Sequence, residues 1–412
     1  MQKRDATKKI CFLSNHHLCI NPRLWKEAFV FEKMGYQIVI LTMWQSLDLL
    51  KRDLNLLNDH RITYKPYLNM IPGKTPEVIR LTYRIIKRVA CEAQRFLKIG
   101  SGWAITYNPG KMYRSALHEN ADLYIVHLEG GFYVGRDLVM SGKKVAFDFE
   151  DWYSRDYLTP DRPVSLLRKL ERFALVNGVY CTAASTSMAD ALTIEYCPNK
   201  KITTIYNTFP QLPYDLSAKP PLEIKKSEAL KILWTSRTVG PERGLETLIK
   251  ILKDVDRPIE LHIIGECTDD FEKLLRKNWP EWKGHKLCMH GFMSHNELQL
   301  QISSYDIGLA LEQNTPDSRN TTVTNKILQY LQAGIRVIAT DTLGQKEIAS
   351  FFSDSVFLVS NENPHELADK INLLAAQKES HNIQKQKMIY EQKISWQIQE
   401  NKLQNLLNEH LV

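Results

Sequence analysis

Short apolar runs alternate with amphipathic helical stretches along this chain in two separate series, and few folds accommodate that grammar. Residues 9–13 (Lys-Ile-Cys-Phe-Leu) and 36–42 (Tyr-Gln-Ile-Val-Ile-Leu-Thr) read as buried strands, with a helical pattern from Arg23 to Met34 and a turn at Gly35 between them. The series continues through Asp122–His127, a Gly130-Gly131 loop and short helix, Lys144–Asp148, Gly178–Ala183 and Ile202–Ile205. Strands without clean polar alternation, separated by helices, predict a parallel sheet covered on both faces.

Residues 209–229 are rich in proline and charge and carry no periodicity, as a linker does. The alternation then restarts: Lys231–Thr235, a helix from Gly244 to Lys253, Ile259–Ile264, Lys286–His290, Ile307–Leu311, a helix through Ile327–Ala333, Val337–Ala339 and Val356–Val359. The expected architecture is therefore α/β, two Rossmann-like doubly wound domains facing a cleft, over 1–208 and 230–380. A helical tail over 381–412, with Leu403, Leu406 and Leu407 behind Trp396, is expected to pack back on the first domain.

The net charge of +7 comes from 54 basic against 47 acidic residues, a mild excess that suits phosphate ligands or a membrane surface and does not mark a nucleic-acid binder. Seven scattered cysteines with no Cys-x-x-Cys pair read as thiols in a reducing compartment. The apolar run after the basic start ends at Ser14-Asn15-His16-His17, short of a signal sequence, and no run approaches the ~18 residues of a spanning helix. The expected location is the cytoplasm, with membrane contact at most peripheral. Such contact has one candidate: over 74–98, Val78, Ile79, Ile85, Ile86, Val89, Phe96 and Leu97 interleave with Arg80, Arg84, Lys87, Arg88, Arg95 and Lys98. This is a basic amphipathic helix or helix pair, either laid with its apolar face on the core or docked on an anionic bilayer.

Two stretches carry the chemistry. Arg237 is expected just past a strand end and Arg243 at the mouth of the next helix, where two guanidiniums can hold one anion. Ligands of open α/β sheets bind beyond the carboxyl ends of strands, and a departing diphosphate needs fixed positive charge there. The competing reading pairs these arginines with Glu242 and Glu246. The second stretch runs from Glu312 to Gly334, a polar loop entering a helix whose first turn is expected to carry Thr322, Thr324, Asn325 and Lys326. A helix start with a lysine attracts phosphate; plain capping by threonine is the alternative.

In this order and separation the two stretches resemble the donor-binding half of the GT4 family of retaining glycosyltransferases with the GT-B fold. The resemblance runs along nearly the whole chain: Asn21–Ala28 is similar to the family's first helix, Asp122–His127 to its strand ending in histidine, Phe147–Ser154 to the acidic segment after it, and Ile202–Asn207 to its last first-domain strand. It implies that Arg237 and Arg243 grip the diphosphate of a nucleotide sugar, that backbone near Gly291-Phe292 lies along the base, and that Asn325 and Lys326 open the ribose-side helix. It also implies a donor substrate with no separate cofactor or metal, and a glycan or lipid-linked acceptor in cell-surface polysaccharide synthesis. The family's Glu-x7-Glu pair is absent, with Thr321 and Gln329 in its places; Gln329 keeps hydrogen-bonding capacity for a ribose, and Glu312 lies upstream within reach of the sugar.

Two groups of the first domain complete the candidate site. His127 ends a strand beside Glu129 and Gly130-Gly131, where its imidazole is expected to meet the reacting sugar or the acceptor, or else to be structural; Asp151 follows another strand end, where a carboxylate orients or deprotonates an acceptor hydroxyl or else caps a helix. No G-x-G-x-x-G fingerprint and no P-loop is present, which argues against dinucleotide and ATP chemistry. Two further functions fit the same fold: a nucleotide-sugar 2-epimerase, and a non-catalytic nucleotide-sugar-binding protein.

Overall fold

The computed structural model describes residues 7–156, 162–211, 222, 229–241, 243–280, 284–377 and 381–411. Most of the expected linker, and Glu242, lie outside the described residues. The chain divides into two compact units, Met1–Ile205 with Glu400–Val412, and Tyr206–Gln399.

The first unit contains β1 (Lys9–Leu13), α1 (Pro22–Lys33), β2 (Gln37–Trp44), α2 (Leu47–Leu56), β3 (Thr63–Asn69), α3 (Glu77–Leu97), α4 (Gly102–Ile105), α5 (Pro109–Glu119), β4 (Leu123–His127), α6 (Leu128–Met140), β5 (Val145–Phe149), α7 (Val164–Asn177), β6 (Cys181–Ala183), α8 (Thr186–Tyr196) and β7 (Thr203–Thr204). The strands form one parallel sheet in the order β3-β2-β1-β4-β5-β6-β7. Ile10, Cys11, Phe12 and Leu13 of β1 are wholly buried, as a central strand covered on both faces requires. Strand β3 carries Lys65 and Pro66 and has no apolar run, so it escapes the sequence pattern; Pro66 is tolerated because β3 is the sheet edge.

The second unit contains β8 (Leu230–Val239), α9 (Leu245–Ile251), β9 (Ile259–Cys267), α10 (Asp269–Lys277), β10 (Lys286–His290), α11 (His295–Ile302), β11 (Ile307–Ala310), α12 (Asp317–Thr321), α13 (Asn325–Ala333), β12 (Arg336–Thr340), α14 (Leu343–Phe351), β13 (Val356–Val359), α15 (His365–Ala376), α16 (Ile383–Lys393) and the start of α17 (Trp396–Leu411). Its parallel sheet has the order β10-β9-β8-β11-β12-β13 around a core that includes fully buried Trp234. Gln386 of α16 donates to the Leu331 and Ile335 carbonyls at 3.0 and 3.1 Å, so the stretch after 381 packs within the second unit. From Glu400 on, α17 belongs to the first unit, where Lys402 donates to the Thr204 carbonyl at 3.0 Å and His410 stacks on Tyr180 at 5.7 Å.

In both sheets the strand order reverses next to the first strand of the unit, between β1 and β4 and between β8 and β11. Such switch points open a crevice beyond the strands' carboxyl ends, where open α/β sheets bind ligands. No helix among the described residues is long and apolar enough to cross a membrane.

Candidate functional site

At the switch point of the second unit, Arg237 lies within β8 and not past its end, because the strand runs on to Val239 through a bulge after Thr235. Gly265 of β9 faces this bulge: a Cβ there, at φ +150°, would stand 2.0 Å from the Ser236 carbonyl oxygen. The bulge turns the Arg237 side chain to solvent, as bulges beside sites commonly do. Arg243 is half-buried and donates to Ser236 Oγ at 2.9 Å. Its neighbour Gly244, at φ +83°, packs so closely that a Cβ would lie 2.6 Å from Leu311 Cβ. That contact seats Arg243 against the end of β11, one residue before Glu312. Among the described residues neither arginine pairs with a carboxylate, so the expected competition from Glu246 is not realised.

Helix α13 starts at Asn325, and Thr322 is not in its first turn. Thr322 is the C-cap of α12, where its Oγ1 donates to the Ser318 carbonyl at 2.7 Å. Thr324 is the N-cap but makes no side-chain capping bond, and its buried Oγ1 has no partner, so the first N–H groups of α13 keep their donor capacity. Asn325 Oδ1 accepts from Asn207 Nδ2 at 2.8 Å. Lys326 is buried, with Nζ 2.5 Å from Glu312 Oε1 and 5.0 Å from the centre of the Trp234 ring. The lysine and the acid expected to reach the sugar thus hold one another at the switch point.

Gln329, one turn on, is buried with Nε2 3.1 Å from His295 Nδ1, and His295 stacks on Phe209 with ring centres 3.6 Å apart. Thr321 turns its hydroxyl back onto the Asp317 and Ser318 carbonyls at 3.0 and 3.2 Å. Gly291 and Phe292 lie just past β10, where a Cβ on Gly291 would meet open space and the Phe292 ring is exposed.

The first unit corrects the expected role of His127. It does end β4, but it is fully buried. Nδ1 lies 3.0 Å from Glu150 Oε1 and 3.2 Å from Asp148 Oδ2, and Nε2 lies 3.2 Å from Glu27 Oε2. Burial alone would lower its pKa, yet the bonds to Asp148, Glu150 and Glu27 outweigh burial and hold the imidazole protonated well above its ordinary value. Fully buried among these carboxylates, the imidazole is not placed to meet a sugar or an acceptor directly, and the structural alternative fits it better.

Asp148 also takes Arg23 through Nε at 2.8 Å and Nη2 at 2.5 Å, and Thr182 Oγ1 at 2.5 Å. Burial raises this carboxyl's pKa, but Arg23 outweighs it and drives the value far below the ordinary range. Asn21 Nδ2 donates to Glu150 Oε1 at 2.7 Å. His127, Asp148 and Glu150 bring three ligand atoms within 4.8 Å of one another, but the lone pairs a metal would need already accept from Arg23, Thr182 and Asn21.

Asp151 lies beside Glu150, Asp156 and Glu129; desolvation of the carboxyl first, then these charges, push it up to about 7. Leu128, between His127 and Glu129, takes φ +63°, a conformation uncommon for a branched side chain. The sequence pattern missed this turn because nothing in a leucine announces it. It also missed His17 Nδ1, 2.6 Å from Asp53 Oδ2, which looks like a base and its orienter. Nε2 of His17, however, accepts backbone N–H groups of Gln45 and Ser46 at 2.8 and 3.2 Å, so neither nitrogen is available for catalysis.

Residues 229–377, which contain the whole second-unit site from Arg237 to Gln329, match the family model described as Glycosyl transferases group 1. No curated protein matches the chain. Among solved structures, HepE of Anabaena in complex with UDP-glucose is 15% identical, with 97% of this chain and 99% of that chain covered at a TM-score of 0.67. Sucrose-phosphate synthase from Thermosynechococcus elongatus is 13% identical, with 98% of each chain covered at 0.68. A candidate UDP-N-acetylglucosamine 2-epimerase from Listeria monocytogenes is 13% identical, covering 98% of this chain and 97% of that one, at the lower TM-score of 0.56. These likenesses establish the fold: two parallel-sheet α/β units of the GT-B type.

Proposed function

We propose that this protein is a glycosyltransferase that takes a sugar from a nucleotide diphosphate donor bound at the second unit. One observation carries the reading: two arginines with no acidic partner among the described residues stand at the same switch point as a helix start without a side-chain cap. Phosphate is the ligand that satisfies both, through charge-assisted bonds to guanidinium and the positive end of α13. In this reading Arg237 and Arg243 stabilise the departing diphosphate, Lys326 supplies further positive charge, and Glu312, held by Lys326, orients the sugar. Gln329 takes the ribose-side position. Asp151 is the acceptor-side base, since a carboxyl near 7 accepts a proton at neutral pH.

The finer reading is a retaining, metal-independent GT4-type transfer to a hydroxyl of a glycan or lipid-linked acceptor, in cell-surface polysaccharide synthesis. Isothermal titration with UDP, GDP, ADP and their sugars tests the donor site, and chromatography of released nucleotide with and without acceptor tests turnover. Absence of nucleotide diphosphate binding overturns the proposal. An epimerised sugar formed from donor alone would assign the chain to the epimerases. Binding without turnover on any acceptor would favour the non-catalytic reading that Thr321 and Gln329 motivate. Turnover that survives EDTA supports the metal-independent mechanism, and an anomeric product opposite to the donor excludes retention.

A further inference from the structure

Helix α3 is seated the wrong way round for a soluble surface helix. At ~100° per residue, Val78, Ile85, Val89 and Phe96 fall within about 40° of one another, roughly opposite Arg80, Lys87 and Gln94. In a water-facing helix the apolar stripe would lie on the protein. Here Val78, Val89 and Phe96 are 75%, 62% and 71% exposed, with Ile79, Leu81, Ile85, Ile86 and Leu97 exposed beside them, whereas Arg80 and Gln94 are buried.

The seat itself is polar. Lys87 Nζ reaches the Ile105 carbonyl at 3.4 Å and lies 4.8 Å over the Tyr107 ring, Tyr83 stacks on Trp103 at 6.0 Å and accepts from Asn108 at 3.3 Å, and Cys91 Sγ meets the Ala104 carbonyl at 3.7 Å. The contact set therefore holds the apolar side outward. A run of large apolar residues this long on one exposed face marks an interaction surface.

We infer that α3 lies in the headgroup layer of an anionic bilayer, with its apolar stripe in the acyl boundary. Charge selects this occupant. The helix carries five basic residues against two acidic ones, and the exposed Arg84, Arg88 and Arg95 border the stripe, where guanidiniums meet lipid phosphates while their stems stay on apolar surface. Arg84, Arg88 and Arg95 also lie within reach of Glu77 or Glu92, but these pairs are solvent-exposed and weak, and the helix keeps a net charge of +3 that a second copy would repeat and an anionic surface would attract. The inference rests on the first unit alone and stands apart from the donor reading.

The test is sedimentation of the full-length protein with vesicles of phosphatidylcholine alone and of phosphatidylcholine mixed with phosphatidylglycerol. The protein is expected to partition onto the mixed vesicles and to leave them as salt is raised. Arg84→Gln/Arg88→Gln/Arg95→Gln should weaken partitioning about fivefold per charge removed, and Val89→Glu/Phe96→Glu should abolish it. These side chains are exposed, so the melting temperature and nucleotide binding of both variants should equal those of the parent. No partitioning onto either vesicle overturns the inference. So does a concentration-dependent dimer in light scattering that Val89→Glu/Phe96→Glu dissolves, which would assign the face to a second copy.

Discussion

Both units place charged side chains at a sheet's switch point, but in the first unit carboxylates and cations pair with one another, while in the second two arginines have no acidic partner among the described residues. His127, Asp148, Glu150, Glu27 and Arg23 form a closed, buried network. Arg237 and Arg243 have no acidic partner among the described residues, and the start of α13 lacks its side-chain cap. A buried set of mutually satisfied ions fixes geometry and contributes rigidity, whereas a half-open set of unpaired donors is what a ligand completes. The same fold thus provides a unit whose switch-point charges are paired, with Asp151 beside them, and a second unit poised for an anion.

The comparison breaks most sharply at Asp148. Asp148→Ala leaves Arg23 and His127 buried without their shared counter-charge, and removing one partner of such a pair costs about 3–5 kcal/mol. For a unit of this size that is a drop of roughly 6–20 °C in the first unit's unfolding temperature, readable by calorimetry, with the nucleotide-induced shift of the second unit retained. An unchanged melt would show that the network is not what holds the first unit together.

The second unit should behave in the opposite way. Arg237→Ala or Arg243→Ala strands no buried acid, so stability should hardly move, while nucleotide diphosphate affinity falls by about 2 kcal/mol, or roughly thirtyfold, for each lost charge-assisted contact. Titration calorimetry reads both variants against the parent. Equal affinity would remove the arginines from the site.

Asp151 stands apart from the paired network of the first unit, and pH sharpens its part in the contrast. A base must be deprotonated to act, and this carboxyl is pushed up to about 7, so kcat/KM should fall about tenfold per pH unit below that value and level off above it. Asp151→Asn should flatten the profile at a low rate. His127 contributes no limb near neutrality because Asp148, Glu150 and Glu27 keep it protonated. By linkage its raised pKa stabilises the folded unit fully below the ordinary histidine value and loses that contribution as pH rises through the folded value.

What was legible in the sequence follows from what periodicity encodes. Apolar runs located the central strands and the ends that carry His127 and Glu312, because a buried parallel strand must be apolar throughout. They did not show that β8 continues past Thr235, since Ser236 and Arg237 occupy a bulge whose condition, Gly265, sits on the neighbouring strand. Nor did they show that His127 is enclosed, which depends on carboxylates from α1, β5 and the segment after it. In α3 the pattern gave the angular position of the apolar stripe correctly, but a helical period carries no information about which side faces solvent. Only the polar seat of Tyr83, Lys87 and Cys91 settles that.

The smallest effect probes the position where the chain departs from the pattern it resembles. Gln329 is buried against His295, with Nε2 directed at the imidazole Nδ1, which leaves its carbonyl oxygen to accept from a ribose. Gln329→Glu keeps the shape and adds a carboxylate, which accepts more strongly from ribose hydroxyls. Nucleoside diphosphate affinity should rise by less than about tenfold, one charge-assisted bond replacing a neutral one, while affinity for inorganic pyrophosphate, which has no ribose, should not change. A parallel gain for both ligands, or a loss for the nucleotide alone, would show that this turn of α13 does not face the ribose and would leave the arginines as the only donor contacts in the comparison.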